Sequence, residues 1–224
     1  MNDYKIKTGF LLINKPSGPT SHDIINKLRR ITGVKKIGHA GTLDPFASGL
    51  LIVAVGREAT RDISKFVKLD KVYEAELRLG AKSDTHDRTG TQHITHNIEH
   101  ITINQINKAI SKFIGRQEQI PPMYSAKKVK GKKLYQLARQ GKVIEREPVE
   151  IEIYDIKLLK YEWPVLKIKV HVSSGTYIRA LARDIGKELG CGAFLEELKR
   201  TQIGKYSLLN ARKINDLEKF ITVL

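Results

Sequence analysis

The sequence predicts an α/β (α+β) protein in which helices pack on a mixed, largely antiparallel sheet. Three observations predict this class. Short apolar or alternating segments typical of strands recur along the chain. Some of these segments are followed by helical patterns, whereas others lead directly into a further strand. A wholly parallel sheet would require a more regular alternation of strands and helices. At 224 residues, we expect a single domain over residues 1–224.

The N-terminal quarter contains two loops that separate regular elements. Residues 9–14 are an apolar run typical of a buried strand, and the two prolines and the glycine of residues 15–19 predict a loop. Apolar residues at helical spacing then predict a helix that ends at Gly33. Residues 38–49 are rich in glycine and predict a second loop. An apolar strand over residues 50–55 follows it.

The rest of the chain continues the mixed pattern. In order, we predict a short helix over 57–67, a strand over 71–80, a polar loop or hairpin over 83–95, a helix capped by Thr102, a short helix near Leu134, strands over 149–153 and 166–172, a helix over 176–189, and a strand-like piece with a terminal helix over 204–224.

The charge balance is the most unusual bulk property. The chain has 40 Lys and Arg against 24 Asp and Glu, a formal net charge of +16. Such a charge favours nucleic acid or an anionic membrane surface as a partner, or simply describes a basic soluble protein. Cys191 is the single cysteine, so no internal disulfide can form. The longest apolar run is too short to span a bilayer, and no signal peptide is evident. We therefore predict a cytoplasmic protein without a membrane partner.

The loop over residues 38–49 is the strongest candidate for chemistry. Its glycines permit a close backbone approach, and Pro45 stiffens the chain directly after Asp44. An aspartate fixed beside a strand suits catalysis. Asp before Pro is also common in ordinary turns, so local chemistry leaves both interpretations open.

Residues 38–45, GHAGTLDP, resemble the catalytic motif of the TruB-type tRNA pseudouridine synthases. Further segments resemble other motifs of that family, in the family's order: residues 15–21, 71–73, 120–126 with 131–135, 174–179 and 198–200. The resemblance spans residues 9 to about 210. It implies the pseudouridine synthase fold, with a basic, RNA-gripping insertion over about 120–148. The chain is expected to lack a C-terminal PUA domain, which many relatives carry.

The resemblance also implies a reaction, the conversion of uridine 55 in the T-loop of tRNA to pseudouridine. It implies base flipping, no cofactor, no metal and no obligatory protein partner. Asp44 is then the covalent nucleophile, attacking either C1′ of the ribose or C6 of the base. Arg179 would hold the Asp44 carboxylate ionised, and Tyr73 would stack on the flipped base. Without the resemblance, Arg179 reads as a surface arginine and Tyr73 as a core tyrosine.

Other residues are candidates for RNA contact by the same resemblance. Leu198 would form an apolar wall of the pocket, His39 would pack near the flipped uridine, and Lys15 and Tyr177 would contact the substrate. Phosphate contacts are expected from the basic insertion, through Lys127, Lys128, Lys132 and Lys133.

Two other functions stay open, and one kind of site is disfavoured. A guide-RNA-dependent pseudouridine synthase would share the aspartate motif, and a tRNA-folding chaperone would share the basic segment. His93, His96 and His100 suggest a metal site, but no acidic or cysteine cluster accompanies them. The sequence also has no Gly-x-x-x-x-Gly-Lys-Ser/Thr phosphate loop.

Overall fold

A computed structural model describes residues 8–95, 101–125, 127–129, 131–138 and 140–216. The chain divides into two compact units. The first unit comprises the residues up to Tyr73 and those from Lys199 onward, and the second unit comprises Glu74–Leu198. One catalytic domain over residues 1–224 with an insertion over about 120–148 stays a prediction.

The helices and strands follow the mixed order that the sequence predicts. In chain order they are β1 Gly9–Lys15, α1 Ser21–Thr32, β2 Ile37–His39, β3 Ser48–Val55, α2 Gly56–Arg61, α3 Ser64–Val67, β4 Lys71–Leu79, β5 Ala81–Ser83, β6 Gln92–Ile94, α4 Ile103–Ser111, β7 Gly115–Gln119, β8 Lys128–Val129, β9 Lys132–Lys133, α5 Leu134–Ala138, β10 Val149–Glu162, β11 Val165–Val172, α6 Ile178–Glu188, β12 Ala193–Ile203, β13 Tyr206–Ser207, a 3-10 turn Leu208–Asn210 and β14 Arg212–Lys213.

The sheet of the first unit runs in the order β14-β1-β3-β12-β4, with the parts of β12 and β4 that belong to this unit. β1 is antiparallel to β3, whereas β12 is parallel to β3. β3 is almost entirely buried, as its unbroken apolar sequence predicts. Thr20 and Asp23 form a capping box that starts α1, and Gly33 ends the helix in the left-handed conformation.

The sheet of the second unit runs in the order β4-β11-β10-β7, with the β4 residues of that unit. β10 is antiparallel to both β11 and β7. Buried and exposed residues alternate along β11, which is typical of a strand with one face in the core. Parallel and antiparallel pairs coexist, so the prediction of a mixed, largely antiparallel sheet with packed helices is confirmed.

Several boundaries differ from the prediction. The single helix over 57–67 is wrong, because two short helices, α2 and α3, occupy that segment. β12 was not predicted, and β10 continues well past residue 153. The hairpin alternative for 83–95 is confirmed, since β5 pairs with β6. The terminal helix lies partly outside the described residues. In the described ranges, no helix has the length and apolar character needed to cross a membrane.

Candidate active site

Lys15 ties together the two loops of the first unit. Its side chain is fully buried at the end of β1. The Lys15 ammonium lies within hydrogen-bonding distance of four carbonyl oxygens, those of Pro16 and Pro19 at 2.8 Å, Pro45 at 3.2 Å and Ala47 at 2.7 Å, and its three N–H groups are shared among them. One buried cation therefore holds residues on both sides of the β1–α1 loop to the segment that directly follows the candidate nucleophile.

Two hydroxyl groups add further bonds to the loop around Asp44. Ser17 Oγ donates to the carbonyl oxygen of Phe46 at 2.7 Å. Ser21 Oγ accepts from the backbone N–H of Leu43 at 3.0 Å and lies 3.2 Å from the carbonyl oxygen of the same residue. Asp44 thus sits between anchored neighbours, which is the preorganisation that a positioned carboxylate requires.

Arg200 holds the same loop from the strand β12. Its side chain is 1% exposed. The guanidinium donates through Nε to the carbonyl oxygen of Leu50 at 2.8 Å and through Nη2 to that of Gly41 at 3.1 Å. Gly49 has φ +108°, and a Cβ there would lie 2.3 Å from the Arg200 carbonyl oxygen. Only glycine fits this close approach of two backbones.

Positive charge concentrates around Asp44. The pKa of Lys15 is lowered to about 8, chiefly because the ammonium is buried; the Asp44 carboxylate opposes this shift and Arg200 adds to it. The attraction is reciprocal, so Lys15 stabilises the negative charge of Asp44. Burial, together with Arg200 and His22, also lowers the pKa of His39. The Nδ1 atom of His39 is buried, and no hydrogen-bond partner for it occurs among the described residues.

The predicted stacking residue lies on β4. Tyr73 is 8% exposed, two residues after the buried Lys71. The Lys71 ammonium donates to the carbonyl oxygens of Val67 at 2.7 Å and Leu69 at 2.5 Å. Burial and Arg200 lower the pKa of Lys71 to about 8. The start of the strand that carries Tyr73 is therefore fixed to the end of α3.

Arg179 is anchored in the second unit by partners that the sequence analysis did not predict. Its side chain is 4% exposed, and Nη1 lies 3.5 Å from Asp87 Oδ2. Arg179 also donates to the carbonyl oxygens of Thr85 at 3.2 Å and Tyr124 at 2.6 Å. Asp87 Oδ1 in turn accepts from Thr85 Oγ1 at 2.8 Å, and from Thr89 N at 2.9 Å and Oγ1 at 2.5 Å. Thr85 and Thr89, two residues before and two residues after Asp87, are the sequence feature from which this hydrogen-bonded turn could have been predicted.

The other predicted contact residues of the second unit occupy well-defined places. Tyr177 is half-buried and precedes α6. Its backbone N–H donates to Gln119 Oε1 at 2.8 Å, and Gln119 Nε2 donates to its carbonyl oxygen at 3.1 Å. Leu198 is 7% exposed on β12. The predicted lysines Lys127, Lys128, Lys132 and Lys133 lie on or beside the hairpin of β8 and β9, where Lys128 is opposite Lys133.

The predicted residues therefore form two anchored groups. Lys15 and Asp44 are brought together in the first unit, and Arg179 and Tyr177 flank the start of α6 in the second. The pairing of Arg179 with Asp44 stays a prediction. His93 is exposed on β6, whereas His96 and His100 lie outside the described residues. Among the residues that the structure describes, no three His, Cys, Asp or Glu side chains cluster as a metal site would require.

Comparison with known proteins assigns both parts of the chain. Residues 29–178 match the model of the TruB family pseudouridylate synthase N-terminal domain, and residues 179–223 match that of the tRNA pseudouridylate synthase B C-terminal domain. The tRNA pseudouridine synthase B of Protochlamydia amoebophila is 52% identical over 202 residues, covering 90% of this chain and 76% of the relative. The protein of the same name from Clostridium novyi is 46% identical, covering 93% and 72%.

A solved structure extends the comparison to the fold. A chain in the crystal structure of a Cbf5-Nop10-Gar1 complex matches with a TM-score of 0.76 and 29% sequence identity. The match covers 96% of this chain and 55% of that chain, so this chain spans about half the length of the solved protein. The predicted pseudouridine synthase fold is confirmed.

Proposed function

Because the chain belongs to the TruB family of pseudouridylate synthases, we propose that it isomerises uridine to pseudouridine at position 55, in the T-loop of tRNA. The observation that carries this proposal is the anchored loop of Asp44. A buried lysine and a buried arginine fix the segment on both sides of the carboxylate. Such rigidity is expected where a single side chain must attack a substrate atom.

The reaction requires one covalent catalyst and no external reactant. The glycosidic bond between C1′ and N1 breaks, C1′ joins C5, the proton on C5 leaves and N1 gains a proton. The Asp44 carboxylate serves as the nucleophile, on C1′ of the ribose or on C6 of the base. Lys15 lies close enough to stabilise the carboxylate charge before attack. These steps proceed without a cofactor.

Arg179 is the proposed partner of the carboxylate. The family resemblance implies that Arg179 binds the Asp44 carboxylate. The contacts of Arg179 within the second unit support this proposal, because they hold its guanidinium in one orientation. Asp87 and two backbone carbonyl oxygens fix its guanidinium in the second unit. A guanidinium held in one orientation can bind a carboxylate without losing further conformational freedom.

The remaining predicted residues are proposed to receive the flipped nucleotide. Tyr73 offers an aromatic face for stacking on uracil, and Leu198 an apolar wall. Extrusion of the base leaves a gap in the RNA stack, and His39 is proposed to pack there. The pKa of His39 is lowered, so its ring is neutral at pH 7, which suits packing beside bases. Lys15 and Tyr177 are proposed to line the site, although the four carbonyl oxygens around the Lys15 ammonium favour an anchoring role.

The hairpin of β8 and β9 is proposed to grip the phosphates of the T-stem-loop. Its backbone register brings four lysines into one short segment. Replacing Lys127, Lys128, Lys132 and Lys133 together with glutamine is expected to weaken tRNA binding and to flatten its salt dependence, because each lost phosphate contact lowers the slope by roughly 0.9. Affinity equal to that of the wild-type protein in low salt would remove the hairpin from the binding surface.

One alternative has a specific observation in its favour. Solved chains that match at 27–29% identity come from a Cbf5-Nop10-Gar1 complex and from an H/ACA RNP bound to a substrate RNA. A guide-RNA-dependent enzyme would resemble them. Eight curated relatives named tRNA pseudouridine synthase B match at 43–52% identity, which favours tRNA as the substrate. We propose that no protein partner is obligatory. A folding chaperone that acts only by binding would not need the anchored Asp44 loop. We place the activity in the cytoplasm, where tRNA is found.

The loss of the C5 proton provides the test. We would incubate the purified protein alone with an unmodified tRNA transcript that carries tritium on C5 of uridine, in the presence of EDTA. The proposal predicts release of one equivalent of tritium per tRNA. Release only after addition of a guide RNA would favour the alternative enzyme. Binding without any release would favour the chaperone.

A further inference from the structure

Gln119 is a buried polar residue that the proposed function does not use. It is the last residue of β7, and its side chain is 4% exposed. Its backbone pairs with Val149 of β10, so it lies at the base of the predicted RNA-gripping insertion, where the chain leaves the sheet and later returns to it. A buried amide needs hydrogen bonds to replace those it would make with water, and its partners indicate its role.

The Gln119 amide binds both backbone groups of a single residue. Its Oε1 atom accepts from the N–H of Tyr177 at 2.8 Å, and its Nε2 atom donates to the carbonyl oxygen of Tyr177 at 3.1 Å. Two residues of an antiparallel sheet exchange both of their backbone bonds in the same way. The side chain of Gln119 therefore holds the backbone directly before α6 to the sheet.

The start of α6 is fixed from outside the helix. Tyr177 is its N-cap residue, and within the part of the chain that the structure describes the Tyr177 side chain makes no capping hydrogen bond. The carbonyl oxygen of Tyr177 accepts the first helical bond, from the N–H of Leu181 at 3.1 Å. The N–H of an N-cap residue has no acceptor within the helix, so it requires a partner elsewhere. Gln119 supplies this partner from β7.

Arg179 lies two residues after Tyr177, in the first turn of α6. Asp87 and the carbonyl oxygen of Tyr124 hold the guanidinium at the far end of its side chain. The bonds of Gln119 hold the backbone from which that side chain extends. Tyr124 belongs to the insertion whose base is Gln119, so the same segment holds both the start of α6 and the guanidinium. Both must be fixed if the guanidinium is to meet a carboxylate in one geometry.

We infer that Gln119 is a positioning residue for Arg179, which it orients through the backbone of Tyr177. The inference deepens the proposed function and rests on it, because Arg179 is proposed there as the partner of Asp44. Without the amide, the N–H of Tyr177 loses its partner and the start of α6 shifts to find another. A displacement of about 1 Å can cost on the order of 100-fold in rate. The residues proposed to contact RNA are unchanged, so Gln119 affects the rate of the bound complex and not its affinity.

The test compares two variants of β7 that each remove one amide. Gln119→Met keeps the length of the side chain and removes both bonds to Tyr177. The control is Gln117→Met, because Gln117 is half-buried on the same strand and donates to the carbonyl oxygen of Phe113 at 2.5 Å, not to α6. Tritium release from labelled tRNA is measured in single turnover at saturating protein. Affinity for tRNA and the free energy of unfolding are measured separately.

Gln119→Met should still fold, because Ser173 in the turn before α6 keeps two hydrogen bonds of 2.8 Å with the backbone of Glu152. At saturation it is expected to release tritium about tenfold more slowly than the wild-type protein or worse, with tRNA affinity within about threefold. Gln117→Met should match the wild-type protein in both. A wild-type saturated rate in Gln119→Met would overturn the inference, as would an equal loss of rate in Gln117→Met. Weaker binding with a normal saturated rate would also overturn it.

A third variant separates positioning from a general loss of stability, and it decides the question if Gln119→Met does not fold. In Gln119→Glu an ionised carboxylate cannot donate to the carbonyl oxygen of Tyr177, whereas a protonated carboxyl group can replace both bonds of the amide. Burial raises the pKa of a carboxyl group, so the saturated rate relative to the wild-type protein should rise about threefold or more as the pH falls from about 7.5 to about 5.5. A ratio that does not change with pH would contradict the role of Gln119.

The same measurements separate this inference from the proposed function. If the wild-type protein releases no tritium from tRNA, the proposed function fails. If the wild-type protein is active and Gln119→Met is equally fast at saturation, only the positioning role of Gln119 fails.

Discussion

The two units hold their candidate catalytic charges by opposite means. In the first unit an anion, Asp44, sits on a loop whose carbonyl oxygens are bound by two buried cations, Lys15 and Arg200. In the second unit a cation, Arg179, is bound by a buried anion, Asp87. Asp44 and Arg179, which resemble catalytic residues of the family, are thus each positioned with the help of a buried residue of opposite charge. These buried residues are distant in the sequence from the residues that they position.

The anchors differ in what their loss would leave behind. Removal of Lys15 would leave carbonyl oxygens without donors, which water can partly satisfy near a loop. Loss of the Asp87 charge would leave a buried guanidinium without its carboxylate, which is more costly. The comparison therefore predicts a separation between effects on rate and effects on folding stability.

The largest effect is expected from Asp44→Asn, which keeps the shape of the side chain and removes its charge. Without a nucleophile, single-turnover pseudouridine formation should fall about 10⁴-fold or more. Because the side chain keeps its shape and the residues proposed to contact the RNA are unchanged, tRNA affinity should change little. Formation of pseudouridine at the wild-type rate by this variant would show that another group carries out the attack.

Asp87→Asn should have the next largest effect and should act on both rate and stability. Asparagine keeps the oxygen that accepts from Thr85 and Thr89, but it cannot balance the charge of Arg179. Breaking a buried pair of this kind typically costs about 3–5 kcal/mol in the free energy of unfolding. Chemical denaturation measures that loss. Asp84→Asn, an exposed neighbour, is the control and should lose less than about 1 kcal/mol.

Gly49→Ala tests the close approach of the Asp44 loop to β12. The added Cβ would meet backbone atoms of Arg200 at 2.3–2.9 Å, and φ is +108°. Clash and backbone strain together should cost about 3 kcal/mol or more. Gly33→Ala, at φ +70° with open space around it, should cost only about 1 kcal/mol. Equal losses in the two variants would show that the contact with Arg200 does not matter.

The smallest effect is a dependence of rate on pH that comes from Lys15. Burial lowers its pKa to about 8, so the ammonium loses a proton as the pH rises through that value. The neutral amine has fewer N–H donors for the carbonyl oxygens of Pro45 and Ala47, and the rate should fall a few-fold above about pH 8. Lys15→Arg, which stays charged, should remove this step.

Stability should change in the opposite direction over the same range. The unfolded chain binds the proton of Lys15 up to a pKa of about 10.4, whereas the folded chain releases it near 8. Between these values the unfolded state holds more protons, so the contribution of Lys15 to the free energy of unfolding rises with pH. Burial also lowers the pKa of Lys71 to about 8, so Lys71→Met is the control. If the fall in rate above about pH 8 vanished in Lys71→Met and persisted in Lys15→Arg, the deprotonation of Lys71 would be its cause.

Sequence periodicity was sufficient for much of the fold but failed at particular elements. The apolar run of β3 and the alternation of β11 predicted strands that are present. β12 was missed because its sequence, AFLEELKRTQI, is rich in leucine, glutamate and lysine, which favour a helix when considered locally. Its neighbours in the sheet determine its conformation, and a single sequence does not reveal them.

The residues of the candidate site were likewise predicted only in part. A short motif with glycine and proline around Asp44 pointed to the reactive carboxylate, and resemblance added Arg179. Asp87 and the carbonyl bonds of Arg200 were not predicted, because they depend on contacts between segments that are 92 and 150 residues apart or more. Residues that fix a loop through such distant contacts do not belong to a recognisable sequence motif.

The anchored carboxylate of Asp44 is proposed to convert one T-loop uridine of tRNA to pseudouridine. The most direct measurement is to map pseudouridine at single-nucleotide resolution in an unmodified tRNA transcript after incubation with the wild-type protein or with Asp44→Asn. We expect a single signal at position 55 with the wild-type protein and no signal with the variant. A signal at another position, or an equal signal from Asp44→Asn, would contradict it.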